Sequence, residues 1–132
     1  MNADTLFLLG RIIYSVMLIF LGANHFLNRT YWTSYAQAQG IPFAEAAVIA
    51  SGVVLILGAL SILFGVFTLF GVLLLVLFFL PVTFLMHRFW IIHDPTLQMI
   101  EMMHFMKNFI ILGAALMFLA VNQWAFALSA TG

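Results

Sequence analysis

The chain has 132 residues, 66% of them hydrophobic and only 6% charged, with four basic residues against four acidic ones and a mean hydropathy of +1.21. A soluble domain carries about 25% charged residues, so water cannot be the solvent for most of this surface, and without a basic run there is no electrostatic footprint for nucleic acid. With no cysteine in the sequence, disulfides, thiolate metal sites and dithiol redox chemistry are excluded.

A helix that crosses the hydrocarbon core needs about 20 mostly apolar residues, and the chain has four runs of that kind. The first, 6–26, follows Asn2-Ala3-Asp4 and ends in Gly22-Ala23-Asn24-His25-Phe26. It has neither a basic n-region nor a small-residue cleavage site, so it is expected to stay as a transmembrane helix. Arg11, Ser15, Gly22 and His25 recur at steps built from three and four residues. They share one stripe, too polar for lipid, that should face the bundle interior. The polar connection 27–42 carries Tyr31, Trp32 and Tyr35, which suit the headgroup layer, and Gly40 and Pro42 punctuate the re-entry. The second run, 43–64, begins with Glu45 near its mouth and contains Ala46, Ala47, Ala50, Gly52, Gly58 and Ala59, small residues that let backbones approach. Phe64–Thr68 leaves room only for a tight turn, so runs two and three form an antiparallel hairpin. The third run, 68–87, contains Pro81, which should kink it, and places Thr83 and His87 one turn apart on one face. The connection 88–101 carries Trp90, His93, Asp94 and Pro95, and Asp94-Pro95-Thr96 suits a short helical turn. The fourth run, 102–121, opens within EMMHFMKNFI and contains Gly113-Ala114-Ala115. The predicted fold is all-α: a single domain over 1–132, an integral-membrane antiparallel four-helix bundle with helix three kinked at Pro81.

Four spans put the first and third connections on one side of the membrane. His25, His87, His93, His104, Glu45, Arg29, Arg88, Asp94 and Glu101 all fall there, while Asp4 and Arg11 lie toward the other. On the fourth run Glu101, His104 and Asn108 lie within about 60° of one another, with Lys107 about 60° beyond His104. An ionisable side chain at mid-helix costs about 2.5–3.5 kcal/mol in lipid, which makes this knot a functional-site hypothesis by default. The stripes are expected to converge on a ligand pocket formed by Arg11, His25, His87, His104, Lys107 and Asn108, supported by Ser15, Glu45, Trp90 and Glu101. No residue is singled out as catalytic.

Three chemistries fit these residue types. A quinone-like head group can take hydrogen bonds from His104, Asn108 or Lys107. A metal or haem can be ligated by His25, His87 and His104 with Glu101 and Glu45. Glu101-x-x-His104 has the spacing of bundle di-metal sites, but those sites use two such motifs and only one is present. The third chemistry is proton handling among His, Glu and Lys. Structural readings stand beside them. Histidines at helix ends serve as interfacial residues. Lys107 pairs with Glu101 or Glu45 and snorkels, and Asn108 bridges two helices. Met99, Met102, Met103 and Met106 are read as lipid-compatible filler before copper ligands.

The chain resembles the DoxX-like family of small bacterial membrane proteins over about residues 7–118. The resemblance rests on Gly10-Arg11, Gly22-Ala23-Asn24-His25-Phe26, Gly40-Ile41-Pro42, Gly65-Val66-Phe67-Thr68, His87-Arg88-Phe89-Trp90 and His104-Phe105-Met106-Lys107-Asn108 with Gly113. The last two segments are similar to a subgroup with H-x-F-W after helix three and HFxKN in helix four. The chain departs from the family where Leu55-Ile56-Leu57-Gly58-Ala59 replaces a common E-x-x-G-G, and where Leu69 replaces a common arginine. The resemblance implies a multi-pass protein of the bacterial inner membrane, in a family with members tied to quinone-linked sulfur oxidation or oxidative-stress complexes. The leading expectation is a redox-associated subunit that binds a quinone or similar small ligand and works with a membrane redox partner protein. The alternatives are a non-enzymatic scaffold or assembly subunit, and a metal or haem binder. Small-residue faces on runs two and four also suit a homo-oligomer of two or three copies. Arg29 and Arg88, with Lys107, against Arg11 put the two polar connections on the cytoplasmic side by the positive-inside count.

Overall fold

The computed structural model describes residues 1–128. They form α1 (Ala3–Leu27), α2 (Arg29–Ala38), α3 (Ala44–Phe64), α4 (Thr68–Met86) and α5 (Pro95–Met117), with 3-10 turns at Phe89–Ile91 and Phe118–Ala120. No strand occurs among the described residues. Four of the helices, all but α2, are long and apolar enough to cross a membrane.

Two elements differ from the sequence reading. The connection 27–42 is largely helical: α2 follows α1 after Asn28 and buries Ala36 against Ala44 and Val48 of α3, with Trp32 and Ile41 packed alongside. An amphipathic helix of ten residues is too short and too polar to register as a span, so its helical period is masked by its composition. The fourth span starts at Pro95 instead of Met102. Asp94 accepts hydrogen bonds from the backbone N–H groups of Thr96 and Leu97 at 2.9 and 3.0 Å, and proline occupies the first helical turn, where its missing N–H costs nothing. The expected short turn is therefore the N-cap of α5 itself. Glu101, His104, Lys107 and Asn108 lie two to four turns inside the helix, not at its mouth.

The spans pack through close backbone crossings and a narrow apolar core. At the α1–α3 crossing a side chain on Gly52 would place Cβ 2.9 Å from the Cβ of His25, and one on Gly22 would place it 3.1 Å from the carbonyl oxygen of Gly52. Only glycine permits that approach, and without water to drive association, such close contact is what holds membrane helices together. Gly58 and Gly71 make the corresponding crossing of α3 and α4. Leu55, Ala59, Ile62, Val72 and Leu75 are fully buried between those two helices, with Leu18 of α1 and Leu112 and Ala115 of α5 completing the core. Large apolar side chains such as Ile13, Phe20, Phe70, Leu77 and Ile110 remain exposed on the outer surface, as a lipid-facing surface requires.

The turn between α3 and α4 is closed by Gly65 in the left-handed conformation, φ 67°, and by the Ser61 hydroxyl, which donates to the carbonyls of Val66 and Phe67 at 2.6 and 3.1 Å. Pro81 lies inside α4, two residues before Thr83, whose hydroxyl donates to the Phe79 carbonyl at 2.5 Å.

Candidate functional site

The polar side chains separate into two groups at opposite ends of the molecule. The first gathers where α2 and the end of α4 meet α1, α3 and α5. Glu101 is its junction: the Tyr35 hydroxyl donates to Oε1 at 2.8 Å, and His87 Nδ1–H donates to Oε2 at 2.6 Å. His87 and Glu101 are about 15% and 16% exposed, so this contact is largely shielded from solvent. The Tyr35 hydroxyl also lies 3.3 Å from the Met86 carbonyl at the C-terminal end of α4, one of the acceptors a helix end leaves unpaired. Burial, then the hydrogen bond to Glu101, pushes the Tyr35 phenol above its ordinary value and keeps it a donor.

From His87 the cluster continues sideways. The His104 ring stacks on the His87 ring, with centroids 5.2 Å apart and planes inclined by 29°. The Lys107 ammonium lies 3.2 Å from His104 Nδ1. An ammonium has only donors to offer, so His104 Nδ1 accepts and its proton resides on Nε2. At the α1–α3 crossing His25 Nδ1 lies 3.3 Å from the Val48 carbonyl and 3.0 Å from the Ser51 hydroxyl oxygen. The carbonyl can only accept, so Nδ1 carries the hydrogen and Nε2 is left with a lone pair. The His25 ring is bracketed by Trp32 and Phe78 at 6.1 and 5.7 Å.

All three histidines thus have the δ nitrogen engaged by the protein. Each ε nitrogen is free of these bonds, a donor at His104 and an acceptor at His25. Three further buried polar atoms on this end have no hydrogen-bond partner among the described residues: Trp32 Nε1, Thr33 Oγ1 and Arg88 Nε. Arg88 does use its other arm, donating from Nη2 to the Gln39 side-chain oxygen at 3.1 Å and its carbonyl at 3.3 Å, which ties α2 to the end of α4.

Asn108 is buried one turn beyond His104 on α5, whereas other residues expected in the pocket lie elsewhere. Glu45 is drawn to the surface, where it pairs with Arg29 at 3.3 Å. Trp90 is 51% exposed and packs edge-on against Phe89 and Phe105. Arg11 and Ser15 are buried on the predicted stripe of α1 but at its other end. Fourteen residues separate Arg11 from His25, roughly 21 Å along a helix, so one stripe serves two sites. Among the described residues no three His, Asp or Glu side chains are grouped to hold a metal ion. His25, His87, His104 and Glu101 do not form such a set, because Glu101 is held by His87 and Tyr35 while His25 is turned to α3.

Tyr35 and Ser51 were not among the predicted site residues. The spacing of Tyr31 and Tyr35, one helical turn, was the available signal for a helical face over the site. Nothing in the sequence marks Ser51 as the partner of His25 except its place beside Gly52, where α1 comes closest.

The DoxX family model aligns with residues 6–88, which run from the first span to the end of the third. Neither a curated protein nor a solved structure matches the chain. Glu101, His104 and Lys107 lie beyond the matched segment, whereas His25, Tyr35 and His87 lie within it.

Proposed function

Because this chain belongs to the DoxX family and is a multi-pass membrane protein, we propose that it is a redox-associated subunit of the bacterial inner membrane that binds a quinone or a similar small carbonyl-bearing ligand at the histidine cluster. The observation that carries this reading is the stacked pair His87–His104, whose δ nitrogens are bound to Glu101 and Lys107 while neither ε nitrogen has a hydrogen bond among the described residues. A quinone carbonyl accepts from His104 Nε2–H. His87, oriented by Glu101, is suited to act as the acid that passes a proton from Nε2 to the quinone for each electron taken up, regaining each proton from solvent. Reduction to the quinol takes two electrons and two protons. The proposal assigns the electrons to a membrane redox partner protein, and the role of this chain is to bind, orient and protonate.

Titration of detergent-purified protein with a short-chain ubiquinone or menaquinone analogue tests this. The His104→Ala/Lys107→Ala double variant should bind at least about tenfold more weakly, since it loses a donor and the group that fixes the donor tautomer. Equal binding by wild type and the double variant overturns the proposal.

A second reading is favoured by one observation: the Lys107 side chain lies on the exposed outer face of α5. A cation there suits docking to an acidic group of another subunit, and in that case the cluster belongs to a scaffold or assembly protein. Lys107→Met would then lower the oligomeric state or the thermal stability of the complex while leaving quinone titrations blank.

A further inference from the structure

At the end opposite the histidines, Arg11 is 1% exposed. Its Nη1 donates to the Ala125 carbonyl at 2.9 Å and its Nη2 to the Phe126 carbonyl at 3.3 Å. The guanidinium also faces the rings of Phe7 and Trp124, each 5.6 Å from the ring centre. Its Nε is buried with no hydrogen-bond partner among the described residues, and so is the hydroxyl of Ser15, which is 0% exposed and lies one turn farther along the same face of α1.

Among the described residues no carboxylate reaches this charge. Of the four acidic side chains, Glu45 pairs with Arg29, Glu101 is held by His87 and Tyr35, Asp94 caps α5, and Asp4 is exposed on the first turn of α1. Backbone carbonyls and aromatic faces attract a guanidinium but leave it unneutralised, and a buried charge without a counter-charge is among the costliest features a membrane protein can keep. A planar guanidinium with a free Nε and a hydroxyl one turn away presents the donor pattern that an oxyanion accepts, bidentate at the fork and singly at the hydroxyl. Arg11 lies eight residues from the start of α1, roughly 12 Å along the axis, within snorkelling reach of the headgroup layer.

The residues covering the site are a strap, not a helix. Val121–Leu128 folds back after the last 3-10 turn, packs Trp124 against Phe7 and Phe118 at 5.3 and 5.5 Å, and returns the Leu128 N–H to the Phe64 carbonyl at 2.9 Å. We propose that Arg11 and Ser15 form a phosphate-binding site, and that the strap is its gate, with the Ala125 and Phe126 carbonyls occupying the donors until a phosphate group displaces them. The phosphate belongs either to a lipid headgroup or to a soluble ion, and both engage the same donors.

Trp124 reports on the gate. In a full-length Trp32→Phe/Trp90→Phe background it is the sole tryptophan, and a maltoside detergent carries no phosphate of its own. Emission is followed while phosphatidylglycerol is added in one arm and inorganic phosphate in the other. A saturable shift in Trp124 emission is expected as the strap leaves the guanidinium. A response to the lipid alone assigns the site to a headgroup, and a response to inorganic phosphate assigns it to a soluble ion. Arg11→Gln should abolish the response, and Ser15→Ala, which leaves the charge and the strap contacts in place, should weaken it by at least about tenfold. No shift in either arm, or an unchanged midpoint in Ser15→Ala, overturns the proposal even if Arg11→Gln fails to fold.

Discussion

Glu101 is where the histidine cluster is most sensitive, because one carboxylate accepts from a phenol on α2 and an imidazole at the end of α4. Glu101→Gln keeps the shape but removes the charge that both donors serve. It should lower stability by about 1–3 kcal/mol, the cost of leaving a buried donor poorly satisfied, readable as a fall in Tm in a mild detergent. Tyr35→Phe removes one of the two donors and should cost less, about 1 kcal/mol. Its pH dependence carries a sign. The folded phenol is held above its ordinary value by burial and by the bond to Glu101, so the stability it contributes is complete below the unfolded value near 10 and is lost as pH rises through the folded one. The difference in Tm between wild type and Tyr35→Phe should therefore be flat from pH 7 to 9 and shrink above pH 10. A difference that shrinks already between pH 7 and 9 contradicts the assignment of Tyr35 as the donor.

Helix pairs depend on how closely their backbones meet, and the glycines divide accordingly. A Cβ at Gly52 meets His25 at 2.9 Å and the Phe26 ring at 3.0 Å, whereas one at Gly113 meets nothing within 4 Å. Gly52→Ala should wedge α1 from α3 and destabilise by about 1–3 kcal/mol, and it should also disturb the His25–Ser51 contact that lies beside it. Gly113→Ala, inside a helix with open space, should be neutral or stabilise by up to about 1 kcal/mol. Thermal unfolding of the pair checks both. If Gly113→Ala destabilises as much as Gly52→Ala, the small-residue face of α5 is packed against something outside the monomer, as a homo-oligomer would require. From sequence, all these glycines looked alike as small residues suited to close packing. Only the crossing geometry separates a glycine that is needed from one that is merely tolerated.

For the whole molecule, the four spans were legible because apolar length is a one-dimensional property that composition records directly. The tight turn at Gly65 was legible for the same reason: too few residues remain to do anything else. The site was legible only in part. Periodicity correctly placed Arg11, Ser15 and Gly22 on the buried stripe of α1, but a stripe fixes an angle and not a depth, so it joined Arg11 to His25 although they serve opposite ends. What the sequence predicted as one lopsided pocket is a histidine cluster at one end and a strapped arginine at the other. That division makes a topological prediction. Because the chain has no cysteine, single cysteines can be placed by substitution with no background labelling: Ser34→Cys on α2, His93→Cys before α5 and Phe67→Cys in the α3–α4 turn, all three exposed. If the long helices cross the bilayer in turn, an impermeant thiol reagent should label Ser34→Cys and His93→Cys from one side and Phe67→Cys only from the other. The positive-inside count makes the first pair cytoplasmic, since Arg29 and Arg88 lie on that side while the single arginine of the other is buried against the strap. Labelling of intact cells and of inverted vesicles reads both the sidedness and the orientation. Labelling of Ser34→Cys and His93→Cys from opposite faces would separate α2 from the start of α5 and break the Tyr35–Glu101 contact on which the histidine cluster rests.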